Sequence, residues 1–576
     1  MPERIHGAEP RIWLDRGDGS LPDGTCWYYF GQYVPAVIRD DARFRPLPGL
    51  QETAARYRES YIRWHSARFL TGDRQAMLSP LAEKSYVADN LFLDFCWLQV
   101  AAQLAATAPG RGTVLLTARP AFAAALARLP GIAAVAHFSV GMPAVDRLCR
   151  GGRTRWQLLR ESARAATTAR AARRVSTEPV SLLRTWLDDR CFRDGRFRDV
   201  YLGELRRRTA YRPVYWFYCL EPPRLRNYIA QLDREGIDYC LDADFGIRGV
   251  ARDAMRRCRA VPPPGRVEFA GVDLSDVAAE QRQLGWVDDH AAFPDSVARA
   301  VAGMAACGYP VREVWYPFEN QPWEKAMNAA FARHLPQVLR CGYQHALLPA
   351  MYLNHFDVIT QATAPYYPQR IYASGRHSEC LLREWYGERV LPAPAYRYRH
   401  LHQHRPVAEA YAKRPHRIIV AAGINPLRAQ VLVRTVVEAF RETEYEVVFK
   451  MHPTDGQTAA HWREQLPGRM SFADECRPLR ELLETGRYFI YADTAAVVEA
   501  LGSGLPAVML EPETTICYDM LPDAVRKRAG GPAGMRDSVA EWNKELSGAS
   551  AYAAFLLRAG AALTELLNLP ADEEGK

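Results

Sequence analysis

The stretch that decides the fold is RIIVAAGINPLRAQVLVRTVVEAFRETEYEVVFK, residues 417–450. Its apolar run Arg417–Ala421 predicts a buried strand, residues 423–426 form a turn, and residues 427–441 carry the apolar spacing of a helix. Residues 445–450 then predict a second strand. A strand, a helix and another strand in this order are typical of two parallel strands joined by a covering helix.

The rest of the C-terminal third continues this alternation. A Gly/Pro turn at residues 502–506 separates its last two elements. We expect a Rossmann-like, nucleotide-sugar-binding domain over residues 396–555, with residues 556–576 as a C-terminal helix and tail. The further predicted elements are strands at Tyr488–Tyr491 and Ala507–Leu510 and a helix at 494–501.

The first 395 residues show the same rhythm less regularly. We expect one acceptor-side α/β region over residues 1–395. It contains an Arg-rich helical segment at 146–175, which is either a solvated helix face or a patch for an anionic membrane surface. The predicted strands are Thr113–Thr117, Arg212–Cys219, 313–317 and 337–341, and the predicted helices are 120–129, 223–234 and 321–333.

The composition is that of a globular protein, with 48% apolar and 24% charged residues. The net charge of +8 permits anionic partners, but it does not require nucleic acid, and no nucleic acid is expected. The twelve cysteines are scattered without a C-x-x-C pair, which favours reduced thiols and a cytoplasmic location. Without a signal sequence or a long apolar run, a membrane contact is expected only as a peripheral one, at the inner membrane.

A polar cluster follows the predicted strand at 445–450, where ligands of open α/β sheets bind. His452 can donate a hydrogen bond to a phosphate or protonate a leaving oxygen, because its unperturbed pKa is near neutral. Pro453 restricts the backbone of His452 to an extended conformation. Lys450, Pro453 and the turn residue Gly423 join His452 as candidate nucleotide-binding residues, and His452 is also a candidate catalytic residue.

A second cluster opens the helix at 494–501. Asp493 or Thr494 can serve as its N-cap, and the free N–H groups of a helix N-terminus attract anions. Glu499 lies on the first turns of this helix. The three residues are candidates for binding the nucleotide, and the alternative is a well-capped structural helix.

The two clusters together resemble the donor domain of GT-B glycosyltransferases. K-x-H-P at 450–453 is followed by D-T-A-x-x-x-E-A-x-x-x-G-x-P from Asp493. The pattern is similar, more narrowly, to enzymes that use CMP-activated acid sugars, of the sialyltransferase and Kdo-transferase type. The resemblance implies that His452 and Thr494 contact the CMP phosphate and that Glu499 holds the nucleoside. Those families often have Ser-Ser where this chain has Asp493 and Thr494, and an aspartate is unfavourable beside a phosphate unless it caps the helix or bonds the ribose.

Three motifs in the first region resemble a family of bacterial surface-carbohydrate biosynthesis proteins, which act on lipopolysaccharide, O-antigen or capsule. They are LAEKS at 81–85, WYPFENQPWE at 315–324 and GYQH at 342–345. This resemblance implies a pathway rather than a reaction. It also implies a lipid-linked or polymeric glycan as acceptor.

Glu319 is the first candidate for a catalytic carboxylate. It follows an apolar strand and precedes a helix whose start is marked by a proline. A carboxylate among aromatic residues is partly desolvated, which raises its pKa and makes it a better base for a sugar hydroxyl. The alternative is that Glu319 or Asn320 caps the helix. Asn320, Gln321 and His345, which ends the next strand, are further candidates for binding substrate in the same cleft.

Other types of site find little support. His400, His402 and His404 alternate along an extended basic stretch without a cysteine or carboxylate nearby, so no metal site is expected. The chain contains neither a P-loop nor a G-x-G-x-x-G motif, and no cofactor is expected.

The sequence therefore predicts an α/β protein of GT-B-like fold, with two Rossmann-like domains facing a central cleft. We expect a glycosyltransferase that moves a sugar, from a CMP-activated acid sugar of Kdo or nonulosonic acid type, onto a bacterial surface glycan. One alternative is a phosphotransferase that uses a CDP-glycerol or CDP-ribitol donor. Another is a non-catalytic glycan-binding assembly protein on the same fold.

Overall fold

The computed structural model describes most of the chain, and strands alternate with helices throughout it. The described residues are 11–14, 24–32, 34–39, 41–85, 90–107, 113–132, 178–193, 195–220, 222–245, 265–287, 292–403, 411, 413–452, 455–474 and 477–567. The expected Arg-rich helical segment at 146–175 lies outside them. The strands are β1 (Arg11–Leu14), β2 (Cys26–Tyr29), β3 (Phe44–Arg45), β4 (Thr113–Thr117), β5 (Val180–Leu187), β6 (Phe192–Arg193), β7 (Arg196–Phe197), β8 (Arg212–Cys219), β9 (Tyr239–Leu241), β10 (Glu268–Phe269), β11 (Val272–Asp273), β12 (Val311–Pro317), β13 (Leu339–Gln344), β14 (Arg370–Ser374), β15 (Val390–Ala393), β16 (Arg417–Ala421), β17 (Glu446–Lys450), β18 (Met470–Phe472), β19 (Tyr488–Tyr491), β20 (Ala507–Leu510) and β21 (Arg526–Ala529). The helices are α1 (Ala36–Arg39), α2 (Leu50–Phe69), α3 (Arg74–Met77), α4 (Leu91–Thr107), α5 (Pro120–Leu126), α6 (Leu225–Arg234), α7 (Asp242–Phe245), α8 (Ser275–Val287), α9 (Ala292–Ala306), α10 (Pro322–His334), α11 (Arg376–Tyr386), α12 (Pro426–Phe440), α13 (Gly456–Trp462), α14 (Leu479–Thr485), α15 (Ala496–Gly502), α16 (Pro532–Glu545) and α17 (Ala549–Leu567).

The N-terminal region is built on a seven-stranded parallel sheet in the order β15-β14-β13-β12-β5-β8-β9. From β5 the chain runs outward through β8 to β9, and it then returns to β12 and runs outward the other way to β15. The order therefore reverses between β5 and β12. Such a reversal leaves a crevice outside the carboxyl ends of the two strands, which is where open α/β sheets bind ligands.

Both faces of this sheet are covered, because side chains alternate between two cores along each strand. Leu182 and Trp216 face one core, which also contains side chains of α2 and α4. Leu183 and Phe217, their neighbours in sequence, face a second core. The predicted strand Arg212–Cys219 is confirmed with its bounds unchanged.

Strand β5 is not predicted from the sequence, because Arg184 interrupts its apolar run. In the structure Arg184 is buried at the sheet surface. Its guanidinium bonds the carboxylate of Asp242 at 2.8 Å and lies over the Trp216 ring, 4.4 Å from the centroid. The ion pair and the ring replace the water that a charged side chain would otherwise require.

A four-stranded parallel sheet, in the order β1-β4-β2-β3, adds a third layer that the sequence does not predict as a unit. Only its strand Thr113–Thr117 is predicted, because β1, β2 and β3 are short and the long helices α2 and α4 separate them in the chain from β4. Helices α2 and α4 pack between this sheet and the seven-stranded sheet.

The C-terminal region is a six-stranded parallel sheet in the order β18-β17-β16-β19-β20-β21. The predicted strands at Arg417–Ala421, Tyr488–Tyr491 and Ala507–Leu510 are confirmed without change. The order reverses between β16 and β19, so this sheet also has a crevice at the carboxyl ends of its central strands. The two helix-covered parallel sheets make this an α/β protein with two Rossmann-like domains, as the GT-B-like pattern predicts.

The loop after β20 ties the C-terminal domain to the N-terminal helices. Gln51 of α2 donates to the Thr515 carbonyl and accepts from the Cys517 amide, both at 2.9 Å. Trp97 of α4 donates its indole N–H to the Thr514 carbonyl at 2.7 Å. Three hydrogen bonds to one stretch of backbone fix this loop on the first domain.

The chain crosses between the domains twice. The boundary expected at 395/396 falls between β15 and the connecting 3₁₀ helix Tyr396–Gln403. Pro392 is tolerated in β15, because β15 is an edge strand. Helix α17 runs through the boundary expected at 555/556 without a break, from Ala549 to Leu567. Apolar residues of α17 on both sides of residue 556 are buried in the C-terminal core, which keeps the helix continuous.

Among the described residues, no single helix has both the length and the apolar character needed to cross a membrane. Helices α16 and α17 meet these criteria only when taken together, and a bend of 113° separates them.

We predict that Gly375→Ala destabilises the protein by about 2 to 4 kcal/mol. Gly375 has a φ of +94°, and a Cβ atom at this position would stand 1.7 Å from the carbonyl oxygen of Leu566 in α17. The substitution therefore strains the backbone and pushes α17 away from the first domain. Urea unfolding followed by circular dichroism measures the loss.

The matched control is Gly560→Ala in α17 itself, where no described atom lies within 4 Å of the added methyl group. Alanine is the better helix former by about 0.5 to 1 kcal/mol, so this variant should be as stable as the wild type or slightly more so. Equal stability of the two variants would contradict the close contact at Gly375.

Candidate active site

The turn that carries Glu319 lies at the carboxyl end of β12, beside the reversal of the seven-stranded sheet. Asn320 adopts a left-handed conformation with a φ of +58°. The carboxylate of Glu324, on the first turn of α10, accepts the backbone N–H groups of Glu319, Asn320 and Gln321 at 3.0, 3.0 and 3.2 Å. The capping function expected of Glu319 or Asn320 is therefore performed by Glu324, which leaves the Glu319 side chain available for other contacts.

A fully buried ionic cluster holds this turn in place, and we call it the Asp357 cluster. It consists of Asp357, Lys84, Lys325, Asn320 and Tyr367. One carboxylate oxygen of Asp357 pairs with Lys84. The other accepts from the Asn320 amide at 2.6 Å and from the Tyr367 hydroxyl at 2.8 Å, and it lies 3.2 Å from the Lys325 ammonium. The two ammonium charges hold the pKa of Asp357 well below its usual value against the effect of burial.

The Glu319 carboxylate is partly exposed, with 29% of its side chain open to solvent. Its Oε2 atom accepts from the Gln321 side chain at 2.6 Å. Burial and, to a smaller extent, the charge of Glu83 raise the pKa of Glu319, the charge of Arg397 opposes them, and the resulting pKa is about 7. A carboxyl with this pKa exchanges a proton readily at neutral pH.

His345 follows β13, the strand next to β12, and its ring lies near Glu319. The distance from its Nε2 to Glu319 Oε1 is 3.8 Å, which is too long for a hydrogen bond. Burial lowers the pKa of His345 to about 3, so the ring is neutral at physiological pH and the pair is not a salt bridge. The Tyr201 ring packs edge-on against His345, with 5.8 Å between the centroids.

His452 reaches the same cleft from the C-terminal domain. Burial lowers the pKa of His452, and the positive charges of Arg190 and Arg397 lower it further. Arg397, on the connecting 3₁₀ helix, also acts on the pKa of Glu319 and of His345. The charge of one guanidinium therefore acts on side chains that follow strands of both sheets.

Lys450 and Pro453 flank His452. The Lys450 ammonium donates to the Asp474 carbonyl at 3.0 Å, so it bridges the ends of β17 and β18. Pro453, a predicted nucleotide-binding residue, lies outside the described residues.

Gly423 and Asp493 meet at the reversal of the six-stranded sheet, after β16 and β19. A Cβ atom on Gly423 would stand 2.3 Å from the Asp493 carboxylate, so only glycine permits this approach. Neither carboxylate oxygen of Asp493 has a hydrogen-bond partner among the described residues. Burial raises the pKa of Asp493 to about 6, against the charge of Arg428, whose guanidinium lies 3.5 Å away.

Asp493 or Thr494 is expected to cap helix α15, and of the two it is Thr494 that bonds a helix N–H group. Helix α15 begins at Ala496, and the hydroxyl oxygen of Thr494 accepts the Ala496 N–H at 3.3 Å. Asp493 turns towards Gly423 and Arg428 instead, away from the helix N–H groups.

Glu499 lies apart from that crevice. It lines a small pocket with His400, Arg480 and Ser503. Its charge raises the pKa of Tyr398, on the connecting 3₁₀ helix. The side chain therefore faces the connection between the domains, whereas Gly423 and Asp493 lie at the ends of the central strands.

Sequence reasoning missed three charged residues of this site, Glu83, Arg190 and Arg397. Only Glu83 had a signal, because it lies in the LAEKS motif at 81–85. Arg190 follows β5, the strand that was not predicted, and Arg397 is one of many basic residues in the stretch before residue 415.

No group of three or more potential metal ligands is found in the part of the chain that the structure describes.

Comparisons with known proteins find similarity only among solved structures. No family model matches the chain, and no characterised protein matches it in sequence. MnaA of S. aureus in complex with UDP is 10% identical, with 67% of this chain and 92% of that chain covered and a TM-score of 0.40. A glycosyltransferase from Rickettsia africae is 9% identical, with 68% and 95% covered and a TM-score of 0.40. UDP-GlcNAc 2-epimerase from Neisseria meningitidis bound to UDP-GlcNAc is 10% identical, with 67% and 99% covered and a TM-score of 0.39.

We predict that Asp357→Asn costs about 3 to 5 kcal/mol of stability, because it leaves two buried ammonium groups without an anion. The free energy of unfolding in urea measures the effect. Glu59→Gln is the control, since the ion pair of Glu59 with Arg63 is exposed on both sides and its loss should cost less than about 1 kcal/mol. A cost for Asp357→Asn no larger than that of the control would contradict the ionic role of the cluster.

Proposed function

We propose that this chain is a glycosyltransferase of GT-B type. The C-terminal domain would bind a nucleotide sugar, and the N-terminal region would bind the acceptor. One observation carries the proposal: a carboxyl group with a pKa of about 7 and a histidine with a lowered pKa, from different domains, are both influenced by the charge of Arg397. An acid–base group and a phosphate-binding group on opposite sides of a cleft are what sugar transfer requires.

Glu319 would act as the base. Its carboxylate takes the proton from an acceptor hydroxyl while that oxygen bonds the anomeric carbon of the donor sugar. The bond from the anomeric carbon to the phosphate oxygen breaks, and its electron pair leaves with the nucleotide. The pKa of about 7 suits this step, because a base is most effective when its pKa is close to the working pH.

His452, Arg190 and Arg397 would stabilise the departing phosphate. The neutral ring of His452 can donate one N–H, and the two guanidinium groups supply positive charge in the same cleft. This arrangement supports a donor with a single phosphate, and we propose a CMP-activated acid sugar. The buried carboxylate of Asp493 supports the same choice, since a second phosphate next to it would be repelled.

The acceptor would be a lipid-linked or polymeric surface glycan, met at the cytoplasmic side of the inner membrane. The motifs at 81–85, 315–324 and 342–345 support this part of the proposal. Two of them adjoin in the Asp357 cluster through Lys84 and Asn320, and the third supplies His345.

We predict that CMP raises the melting temperature of the protein selectively among CMP, CDP, UDP, GDP and ADP. A ligand that binds only the folded state at about 100 times its Kd stabilises it by about 2.7 kcal/mol. His452→Ala should weaken CMP binding about ten-fold or more, because a hydrogen bond to a charged phosphate is lost. UDP is the main competitor to test, since the co-structures similar in fold contain UDP or UDP-GlcNAc.

His416→Ala is the control for that titration. His416 is exposed and precedes β16, so it lies at the amino end of the sheet and should not affect nucleotide binding. A preference for CDP would favour phosphotransfer, which leaves a phosphodiester rather than a glycosidic bond in the product. A response to no nucleotide would argue against the transferase.

We predict that Glu319→Gln lowers the transfer rate about 100-fold or more while CMP affinity is unchanged, because the base is lost and the nucleotide site is intact. In the wild type the rate should rise with pH around a midpoint of about 7, where Glu319 loses its proton. Glycan product measured by mass spectrometry gives the rate. Glu442→Gln, at an exposed position of the other domain, should transfer at the wild-type rate. Transfer by Glu319→Gln near that rate would remove Glu319 from the reaction.

A further inference from the structure

Three aromatic side chains meet at the carboxyl ends of β5 and β12, where the order of the seven-stranded sheet reverses. They are Trp186, near the end of β5, Tyr201, and Trp323 on the first turn of α10. The Trp186 ring lies 4.7 Å from the Tyr201 ring and 5.9 Å from the Trp323 ring, measured between centroids. The ring planes are inclined by 55° and 80°, so the three rings form a bent surface rather than a flat stack.

Contacts at both ends of this aromatic surface lead to the Glu319 carboxylate. On one side, the Trp323 indole N–H donates to the Gln321 side chain at 2.7 Å, and the Gln321 amide donates to Glu319 Oε2 at 2.6 Å. On the other side, the Tyr201 ring packs edge-on against His345, whose Nε2 lies 3.8 Å from Glu319 Oε1. The contacts thus close a circle of six side chains, which we call the Trp186 group: Trp186, Tyr201, His345, Glu319, Gln321 and Trp323.

The Trp186 group is accessible to a ligand. Trp186, Tyr201 and Gln321 are half-buried, and 29% of the Glu319 side chain is exposed. The distance from Glu319 Oε1 to His345 Nε2 is too long for a hydrogen bond, so Oε1 can accept one from a ligand hydroxyl. One half of the circle therefore offers aromatic surface, and the other half offers hydrogen-bonding groups.

This division selects a sugar as the ligand. A pyranose has an apolar face of C–H groups that packs on aromatic rings, and its hydroxyl groups donate to carboxylate and amide oxygens. Aromatic walls with a few convergent polar groups are the usual lining of a small-molecule site.

An organic cation is the other ligand that aromatic rings attract, and the charges around the Trp186 group disfavour it. The Arg184 guanidinium lies 5.9 Å from the centroid of the Trp323 ring. The Arg190 guanidinium lies 5.4 Å from the centroid of the Tyr201 ring. A second cation at these rings would be repelled by both.

We propose that the Trp186 group is a sugar-binding subsite, in which one pyranose residue of the acceptor packs on Trp186 and Tyr201 and directs a hydroxyl to Glu319. Trp186 then determines which acceptors bind. The identification of the sugar as an acceptor rests on the proposed function. The binding of a pyranose does not, and it can be measured without any nucleotide.

The test is saturation-transfer NMR of the full chain with the methyl glycosides of glucose, galactose, mannose and N-acetylglucosamine as probes. At least one should bind, with the strongest transfer to the C–H protons of one face of the sugar. Trp186→Leu should weaken this binding about ten-fold or more, because the aromatic surface is lost. Trp186→Phe keeps an aromatic ring and should bind more tightly than Trp186→Leu.

Tyr211→Ala is the matched control. It removes an aromatic ring that is 43% exposed and precedes β8, at the amino end of the same sheet, so sugar binding should equal that of the wild type. Trp186→Ala is made alongside Trp186→Leu, so that a non-aromatic variant is available if one of them does not fold. The proposal is overturned if none of the four glycosides binds, if the non-aromatic variants bind as well as the wild type, or if choline binds more tightly than every glycoside.

The same variants separate this proposal from the proposed function. If transfer is found, Trp186→Leu should raise the KM for the acceptor and leave CMP affinity unchanged. Transfer with an acceptor KM equal to that of the wild type rejects the subsite and leaves the transferase standing. Sugar binding that depends on Trp186, in a protein that transfers no sugar, supports the subsite and rejects the transferase.

Discussion

The arrangement of the acceptor side depends on one buried carboxylate, Asp357. It is the common partner of two buried lysines and a buried asparagine, and each of these polar groups would be costly to bury without a partner. Because Lys84 and Asn320 come from segments more than 200 residues apart in the chain, their common partner fixes turns that no local sequence could hold. Lys325 extends the same network to the Ala82 carbonyl. The left-handed backbone at Lys84 and Asn320 is the strain that this network compensates.

The position of the cleft follows from the topology of the two sheets. Each parallel sheet reverses its strand order once at its centre, and Glu319 lies at the carboxyl end of one reversal while Gly423 and Asp493 lie at the other. Two further sets of contacts join the domains. Gln51 and Trp97 bind the loop after β20, and α17 returns from the C-terminal domain to pack against Gly375. The turns therefore position the individual side chains of the site, and contacts between the domains bring the two regions together.

The sequence predicts what is local and apolar. Arg212–Cys219 and three strands of the C-terminal sheet are recovered with their bounds, because a buried parallel strand is a short continuous apolar run. Strand β5 is not predicted because Arg184 is buried by partners that lie elsewhere in the chain, on α7 and β8. The four-stranded sheet is not predicted because its pairing joins residues 11–14 to residues 113–117, which are far apart in the chain.

For the site itself, the sequence identifies the groups that end strands, Glu319, His345, His452 and Asp493. It does not identify the neighbouring residues that determine the orientation and the pKa of these groups. Aspartate is a common N-cap residue, but because Gly423 has no side chain, Asp493 can lie against Gly423 instead of capping the helix. Glu83 and Arg397 influence Glu319 only through the folded arrangement of three segments, and such proximity leaves no periodicity or spacing in the sequence.

The electrostatics of the cleft link its two sides. Arg397 lowers the pKa of Glu319 and also that of His452, so one positive charge favours the ionised carboxylate and the neutral imidazole together. An anion that binds at Arg397 offsets this charge and must raise the pKa of both groups. By linkage, protonation of either group must then favour binding of the anion. The charge of Glu83, in the turn at 81–85, has the opposite effect to Arg397, because it raises the pKa of Glu319. The carboxyl group of Glu319 is thus held between a charge that a ligand can neutralise and a charge fixed by the fold.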